Sequence, residues 1–316
     1  MLTIEFIVWS NCANNCQFCW QRLLDDQTTR LDSEHKVKCL ENCRRILDSE
    51  GQNCDVLVVG GEAYSDQGEA VNAQLKKVFN KIADKVRKGD IRYFYANTSL
   101  TYENKVNLIA LFEAFKGIED HLKFTTSYDL AGRFDRDTNK SVANSDSSGA
   151  CHTENKEALV RKNLEFIYKN YPDVNIVVNT IITNAVYKAI FPKDGSEPYN
   201  PFWFMGEYPN TVVWVNLIPY IPIKGDNSLD AKFSETVKVL EKANSIIPGY
   251  FKRYVEEFDI SQDKRLYEYH SDKGFIENTA PDMPCGHNKN FSLVNRDGGC
   301  YICKLKDYYI NNRSRL

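Results

Sequence analysis

Ser10-Asn11-Cys12-Ala13-Asn14-Asn15-Cys16-Gln17-Phe18-Cys19-Trp20 follows directly on an apolar run, Ile4 to Trp9, that reads as a strand. Its three cysteines are spaced C-x3-C-x2-C. Three thiolates on one tight loop fall one short of the four-coordinate shell of a structural zinc. They match three irons of a [4Fe–4S] cluster with the fourth iron left open, and soft thiolates suit that metal. Cysteines at such spacings mark metal or redox sites far more often than incidental buried thiols.

Downstream of this loop, strands and helices alternate. The apolar runs Thr3–Trp9, Asp55–Val59, Ile91–Ala96, Leu122–Tyr128, Asn175–Ile182 and Thr211–Ile218 read as strands. Helical spacing appears over Ser33–Leu47 (with Ser33 as N-cap), Ala70–Val86, Glu103–Phe115, Lys156–Tyr168 and Ser234–Ile247. Strands separated by helices of this length predict right-handed βαβ units and a parallel sheet. Alternation alone fits a doubly wound sheet as well as a barrel. Asp135 to Thr153 is polar and reads as an exposed loop, and Pro192, Pro198, Pro201 and Pro209 break regular structure before the sixth strand.

The 316 residues suffice for one large α/β domain with a small appendage, and 42% hydrophobic with 26% charged residues excludes wholesale disorder. A net charge of −3 gives no reason to expect a polyanion as obligatory partner. With no secretory pattern and no apolar run of membrane-spanning length, a cytoplasmic protein is expected. Ten cysteines in a reducing compartment then point to metal rather than disulfides, with Cys39, Cys43 and Cys54 as buried free thiols.

The cysteine loop resembles the cluster-binding motif of the radical S-adenosylmethionine (radical SAM) superfamily, C-x3-C-x-Φ-C, with Phe18 at the aromatic position. The resemblance implies a partial (β/α)6 TIM-like barrel over residues 1–250. It also implies a [4Fe–4S] cluster on Cys12, Cys16 and Cys19. S-adenosylmethionine on the open iron is then cleaved to a 5′-deoxyadenosyl radical that abstracts hydrogen from substrate.

Gly60-Gly61-Glu62 ends the second strand, where α/β folds place ligands. It matches the family's G-G-E, which binds the amino group of S-adenosylmethionine. Ser127-Tyr128-Asp129, followed by Arg133 and Arg136, resembles the family's S-x-D segment with its downstream arginine. That segment touches the ribose and carboxylate, and either arginine suits a carboxylate. The fifth strand resembles the one lining the family's adenosine pocket. Its polar members are Asn179, Thr180 and Asn184, with Asn184 favoured, and Asn97 ends the third strand in a similar position.

In the tail, Cys285-Gly286-His287 precedes an Asp297-Gly298 hairpin signal and Cys300-Tyr301-Ile302-Cys303. The spacing resembles the start of a SPASM/twitch extension, without that extension's later cysteines. Residues 251–316 are therefore expected to form a small cysteine-containing C-terminal subdomain. Cys285, Cys300 and Cys303, with His287 as fourth ligand, would carry an auxiliary [4Fe–4S] cluster, zinc, or no metal.

The expected function is hydrogen abstraction from a peptide or small-molecule substrate, with an external reductant such as flavodoxin or ferredoxin and no membrane partner. Modification of a nucleotide or nucleic-acid base stays open, as does a non-enzymatic iron–sulfur carrier or sensor. No catalytic residue beyond the cofactor ligands is singled out. The aromatic run Phe202-Trp203-Phe204 reads as packing or as a stacking platform.

Overall fold

In the computed structural model the described residues are 2–9, 12, 31–129, 134–135, 140–141, 156–219, 233–248, 291–294 and 300–302. The architecture is α/β, with six parallel strands in one sheet as in a partial TIM-like barrel. The six are β1 (Leu2–Ile7), β2 (Cys54–Val59), β3 (Ile91–Thr98), β4 (Leu122–Ser127), β7 (Ile176–Ile182) and β8 (Val212–Pro219). Between β4 and β7, β5 (Phe134–Asp135) and β6 (Lys140–Ser141) pair antiparallel, within a segment expected to be plain loop. Two tail strands, β9 (Phe291–Val294) and β10 (Cys300–Ile302), complete the main sheet, whose order is β10-β9-β1-β2-β3-β4-β7-β8.

Alternation along each strand decides what faces the helices. On β3, Phe94 packs against Phe79 and Phe115 of the helices, with ring centroids at 6.4 and 5.4 Å. Ala96 and Thr98 share that face and are buried, while Tyr95 and Asn97 lie on the opposite, lumen face. The crossover helices are α1 (Ser33–Glu50), α2 (Glu69–Arg87), α3 (Val106–Phe115), α4 (Lys156–Asn170) and α7 (Phe233–Ile246). On α2, Val71, Leu75, Val78, Phe79, Ile82 and Val86 form the apolar stripe that faces the sheet.

Two local readings are revised. The N-cap of α1 is Asp32, not Ser33: Asp32 is extended (ψ 174°) and its carboxylate accepts from His35 N–H at 2.9 Å. The proline-bearing region contains two short helices, α5 (Asn184–Ile190), capped by Thr183, and α6 (Trp203–Glu207). The tail hairpin does form, as β9 and β10, but it extends the main sheet: β9 runs parallel to β1. The rest of residues 251–316 lies outside the described residues.

Cys39, Cys43 and Cys54 are buried free thiols, as expected. Burial pushes the Cys54 thiol up to about 11, and a hydrogen bond with Cys39 together with burial raises the Cys43 thiol. No helix among the described residues is long and apolar enough to cross a membrane.

Candidate functional site

Parallel pairing sets the carboxyl ends of β1 and β2 side by side, with Ile7 opposite Val59. Val8 N–H donates to Val59 O at 3.0 Å, and Gly61 N–H donates to Trp9 O. The chain that runs on to Cys12 therefore leaves the sheet beside Gly60-Gly61-Glu62. A Cβ on Gly60 would stand 2.5 Å from Trp9 O and 3.1 Å from Val8 Cγ2, with φ at +155°. Glycine is what allows this close approach.

Glu62 is buried, and its carboxylate gathers four donors from the chain itself. Tyr64 N–H (3.0 Å) and the Thr98 hydroxyl (2.9 Å) reach Oε1; Ser99 N–H (2.8 Å) and the Ser99 hydroxyl (2.6 Å) reach Oε2. Thr101 and Tyr102 hydroxyls stand behind Ser99 and Thr98 at 2.8 and 3.1 Å. An ionised carboxylate has about four lone-pair sites, so the chain's own groups fill it. Burial still pushes the Glu62 carboxyl above its ordinary range, against these hydrogen bonds. Thr98 lies on the helix-facing side of β3, so the side chain is drawn behind the strand ends. The effect is a clamp between the ends of β2 and β3.

The loop beyond is equally tied. Gln67 donates to Glu62 O (2.9 Å) and Ser65 Oγ (2.8 Å) and accepts from Lys36 Nζ (2.8 Å). Asp66 accepts from Gly68 N–H, Asn72 and Asn104 at 2.7–2.9 Å, and these bonds hold its carboxyl below the ordinary value.

On the lumen side, the register aligns Ser127, Asn179 and Asn216 in one row across β4, β7 and β8. One row below are Asn97, Thr125, Val177 and Trp214. Asn216 Nδ2 donates to Asn179 Oδ1 at 3.3 Å, and Asn216 Oδ1 is buried without a partner among the described residues. A polar atom of that kind is an acceptor available to a bound molecule. Asp129 is wholly buried and takes the Ile181 N–H on Oδ1; Thr180 donates to Tyr128 O at 2.8 Å. Together they lock the end of β4 to β7.

Of the residues expected at the site, Gly60, Gly61, Glu62, Asn97, Ser127 and Asp129 all lie at or near the carboxyl ends of β2, β3 and β4. Asn184 is half-buried on the first turn of α5, one residue after its cap, whereas Asn179 and Asn216 line the lumen. Sequence reasoning misses Asn216, although a lone amide inside the apolar run Val212–Ile218 is a visible signal. Cys12 is half-buried. Cys16, Phe18, Cys19, Arg133, Arg136, Cys285, His287 and Cys303 lie outside the described residues, and Cys300 is described by its backbone alone, opposite Val294.

The aromatic run is packing. Phe202 and Phe204 are buried, Phe204 meets Tyr128 edge-on at 4.8 Å, and Arg161 covers the Trp203 ring at 3.7 Å.

No protein-family profile and no curated protein matches the chain. The fold is shared with a solved structure described as polyhistidine-tagged anSMEcpe with bound AdoMet, at 17% identity and a TM-score of 0.50, over 98% of this chain and 72% of that one.

Proposed function

We propose, from a fold shared with a protein solved with AdoMet bound, that this chain is a radical SAM enzyme. The observation that carries the reading is the junction of two motifs. The C-x3-C-x2-C loop leaves β1 where Gly60-Gly61-Glu62 leaves β2, and Gly61 is bonded to Trp9.

The residues fit the implied groups. Cys12, Cys16 and Cys19 supply three soft donors for a [4Fe–4S] cluster. The missing side chain at Gly60 lets the end of β2 close on the Trp9 backbone, so that the cysteine-bearing chain and the Gly60-Gly61 turn would flank the amino end of AdoMet together. When bound, the cluster and AdoMet supply a 5′-deoxyadenosyl radical that takes hydrogen from substrate. The protein's part is orientation. The saturated carboxylate of Glu62 holds the Gly60–Gly61 floor in place and leaves direct contact with the ligand's ammonium to that floor. Ser127, Asn97, Asn179 and Asn216 offer amide and hydroxyl groups to the ribose, adenine or substrate. Asp129 fixes the strand end from which Arg133 or Arg136 would take the AdoMet carboxylate.

The reading extends to a peptide or small-molecule substrate and to an external flavodoxin- or ferredoxin-type reductant. Cys285, Cys300, Cys303 and His287 form a second metal site, an auxiliary [4Fe–4S] cluster or zinc. In support, β9 is parallel to β1 and Cys300 is opposite Val294, so Cys300 belongs to the same end of the sheet as Cys12.

The test is anaerobic reconstitution followed by dithionite and AdoMet. Release of 5′-deoxyadenosine by the wild type and none from Cys16→Ala is expected. A reducible cluster with no cleavage would leave the carrier or sensor reading instead. Iron of about eight per chain would assign the second site to a cluster, and about four with zinc would assign it to zinc.

A further inference from the structure

Asn163 is wholly buried and interrupts the stripe of Leu159, Val160, Leu164 and Ile167 that α4 turns inward. A buried amide needs partners, and both of its own lie on one turn of another element. Asn163 Nδ2 donates to Leu100 O at 2.8 Å and to Tyr102 O at 2.7 Å. A carbonyl only accepts, so the two contacts fix which way the amide is set.

That turn follows β3, and its first residue is held in an unusual shape. Leu100 has φ at +54° and no exposed surface. Left-handed backbone is disfavoured for a bulky residue and persists where the surroundings impose it. Here it reverses the chain directly after Ser99, whose N–H and hydroxyl both meet Glu62 Oε2. The two carbonyls gripped by Asn163 bracket Thr101, whose hydroxyl lies 2.8 Å from Ser99 Oγ. The Tyr102 hydroxyl in turn lies 3.1 Å from Thr98 Oγ1, which donates to the same carboxylate. From Asn163 to Glu62 the path thus runs through hydrogen bonds between buried groups.

We infer that Asn163 is a positioning residue for AdoMet: it holds Leu100 left-handed and so keeps Ser99 and Thr98 on the carboxylate that sets the Gly60–Gly61 floor. This rests on the radical SAM reading, in which that floor meets the amino end of AdoMet. The amide acts through the turn and not by contact with the ligand. Packing of α4 alone would be served by an apolar residue at this place in the stripe.

The experiment compares wild type, Asn163→Leu, Leu100→Gly and the double variant, each as the reconstituted full chain. Leucine keeps the branched outline of the side chain and donates nothing. Glycine takes up a left-handed turn unaided. Equilibrium dialysis gives the AdoMet dissociation constant, mass spectrometry the exchange of the Ser99 amide, and circular dichroism the fold. Asn163→Leu should bind AdoMet about tenfold more weakly, the worth of about one hydrogen bond, and speed Ser99 exchange by a similar factor. Adding Leu100→Gly should bring both back to within about threefold of wild type, even as the lost leucine makes the chain melt lower. An Asn163→Leu chain that fails to fold, but regains fold and affinity with Leu100→Gly, would equally support the assignment. Unchanged affinity in Asn163→Leu would overturn it, whatever the exchange. So would a loss of affinity or of fold that the glycine does not restore, since the amide would then serve packing alone. A wild type that binds no AdoMet would instead strike the radical SAM reading, and Ser99 exchange would then decide by itself whether Asn163 holds the turn.

Discussion

Glu62→Gln tests whether the carboxylate is a clamp or a ligand contact. The side chain takes two donors on each oxygen, from Tyr64 and Thr98 on one and from Ser99 twice on the other. A glutamine keeps two of them and turns an NH2 toward the rest. Whichever way it is set, one hydroxyl can turn away, Thr98 toward Tyr102 or Ser99 toward Thr101. One buried backbone N–H then stays stranded, at a cost of about 1–3 kcal/mol, and the surviving bonds lose their charge assistance, about 1 kcal/mol more. Relief of the buried charge offsets part, leaving a loss of about 2–3 kcal/mol. At about 2–4 °C per kcal/mol for domains of 150–250 residues, the metal-free protein should melt about 5–10 °C lower by calorimetry. AdoMet binding to the reconstituted variant, measured by equilibrium dialysis, should weaken only in proportion to disorder at the strand ends. An unchanged melting temperature with affinity down about ten- to a hundredfold would refute the clamp and return the carboxylate to the ligand's ammonium, a charge-assisted contact of about 1.5–3 kcal/mol.

Gly60→Ala places a methyl 2.5 Å from Trp9 O, a backbone atom that cannot swing aside. It should cost about 1–3 kcal/mol in strain and abolish 5′-deoxyadenosine release, as read by chromatography of the quenched reaction. Thr183→Ala removes the hydroxyl that caps α5 by accepting from Val186 N–H at 3.2 Å, for a stability loss of about 1 kcal/mol on thermal melting. Because hydrogen bonds hold Asp66 below its ordinary 3.8, its contribution is fully present above that pH and is lost as pH falls through the lower folded value. Acid titration of Asp66→Asn should lack that part of the slope.

Periodicity makes the six strands and the long helices legible, because each strand buries one face and each helix one stripe. The run Ile91–Ala96 marks a strand in the sequence, but which of its faces takes Phe94 and Ala96 and which takes Tyr95 and Asn97 is seen only in the fold. The short helices at 184–190 and 203–207 are hidden among prolines, which mark broken structure without saying what lies between. The role of Glu62 is hidden differently. Its motif names a ligand site, but the groups that fill its carboxylate include Thr98 and Ser99, 36 and 37 residues away at the end of another strand. Nothing in the sequence singles out Lys36; only the fold brings Trp9 and Gln67 around it. Asn179 and Asn216 become one row only when β7 and β8 are in register.

The hairpin beside β1 also sets an order of events during synthesis. The outer edge of β1 leaves the ribosome well over 280 residues before residues 291–294, which pair with it. At about 5–20 residues per second, that edge waits on the order of 15–60 s with its N–H and C=O groups unpaired. An open strand edge carrying Ile4 and Phe6 is a template for pairing with another chain. Closing the sheet there also requires a contact of very long sequence separation, the slow kind. Newly made protein should therefore depend on a chaperone or low concentration until β9 arrives, and chains cut short of residue 291 should aggregate through β1.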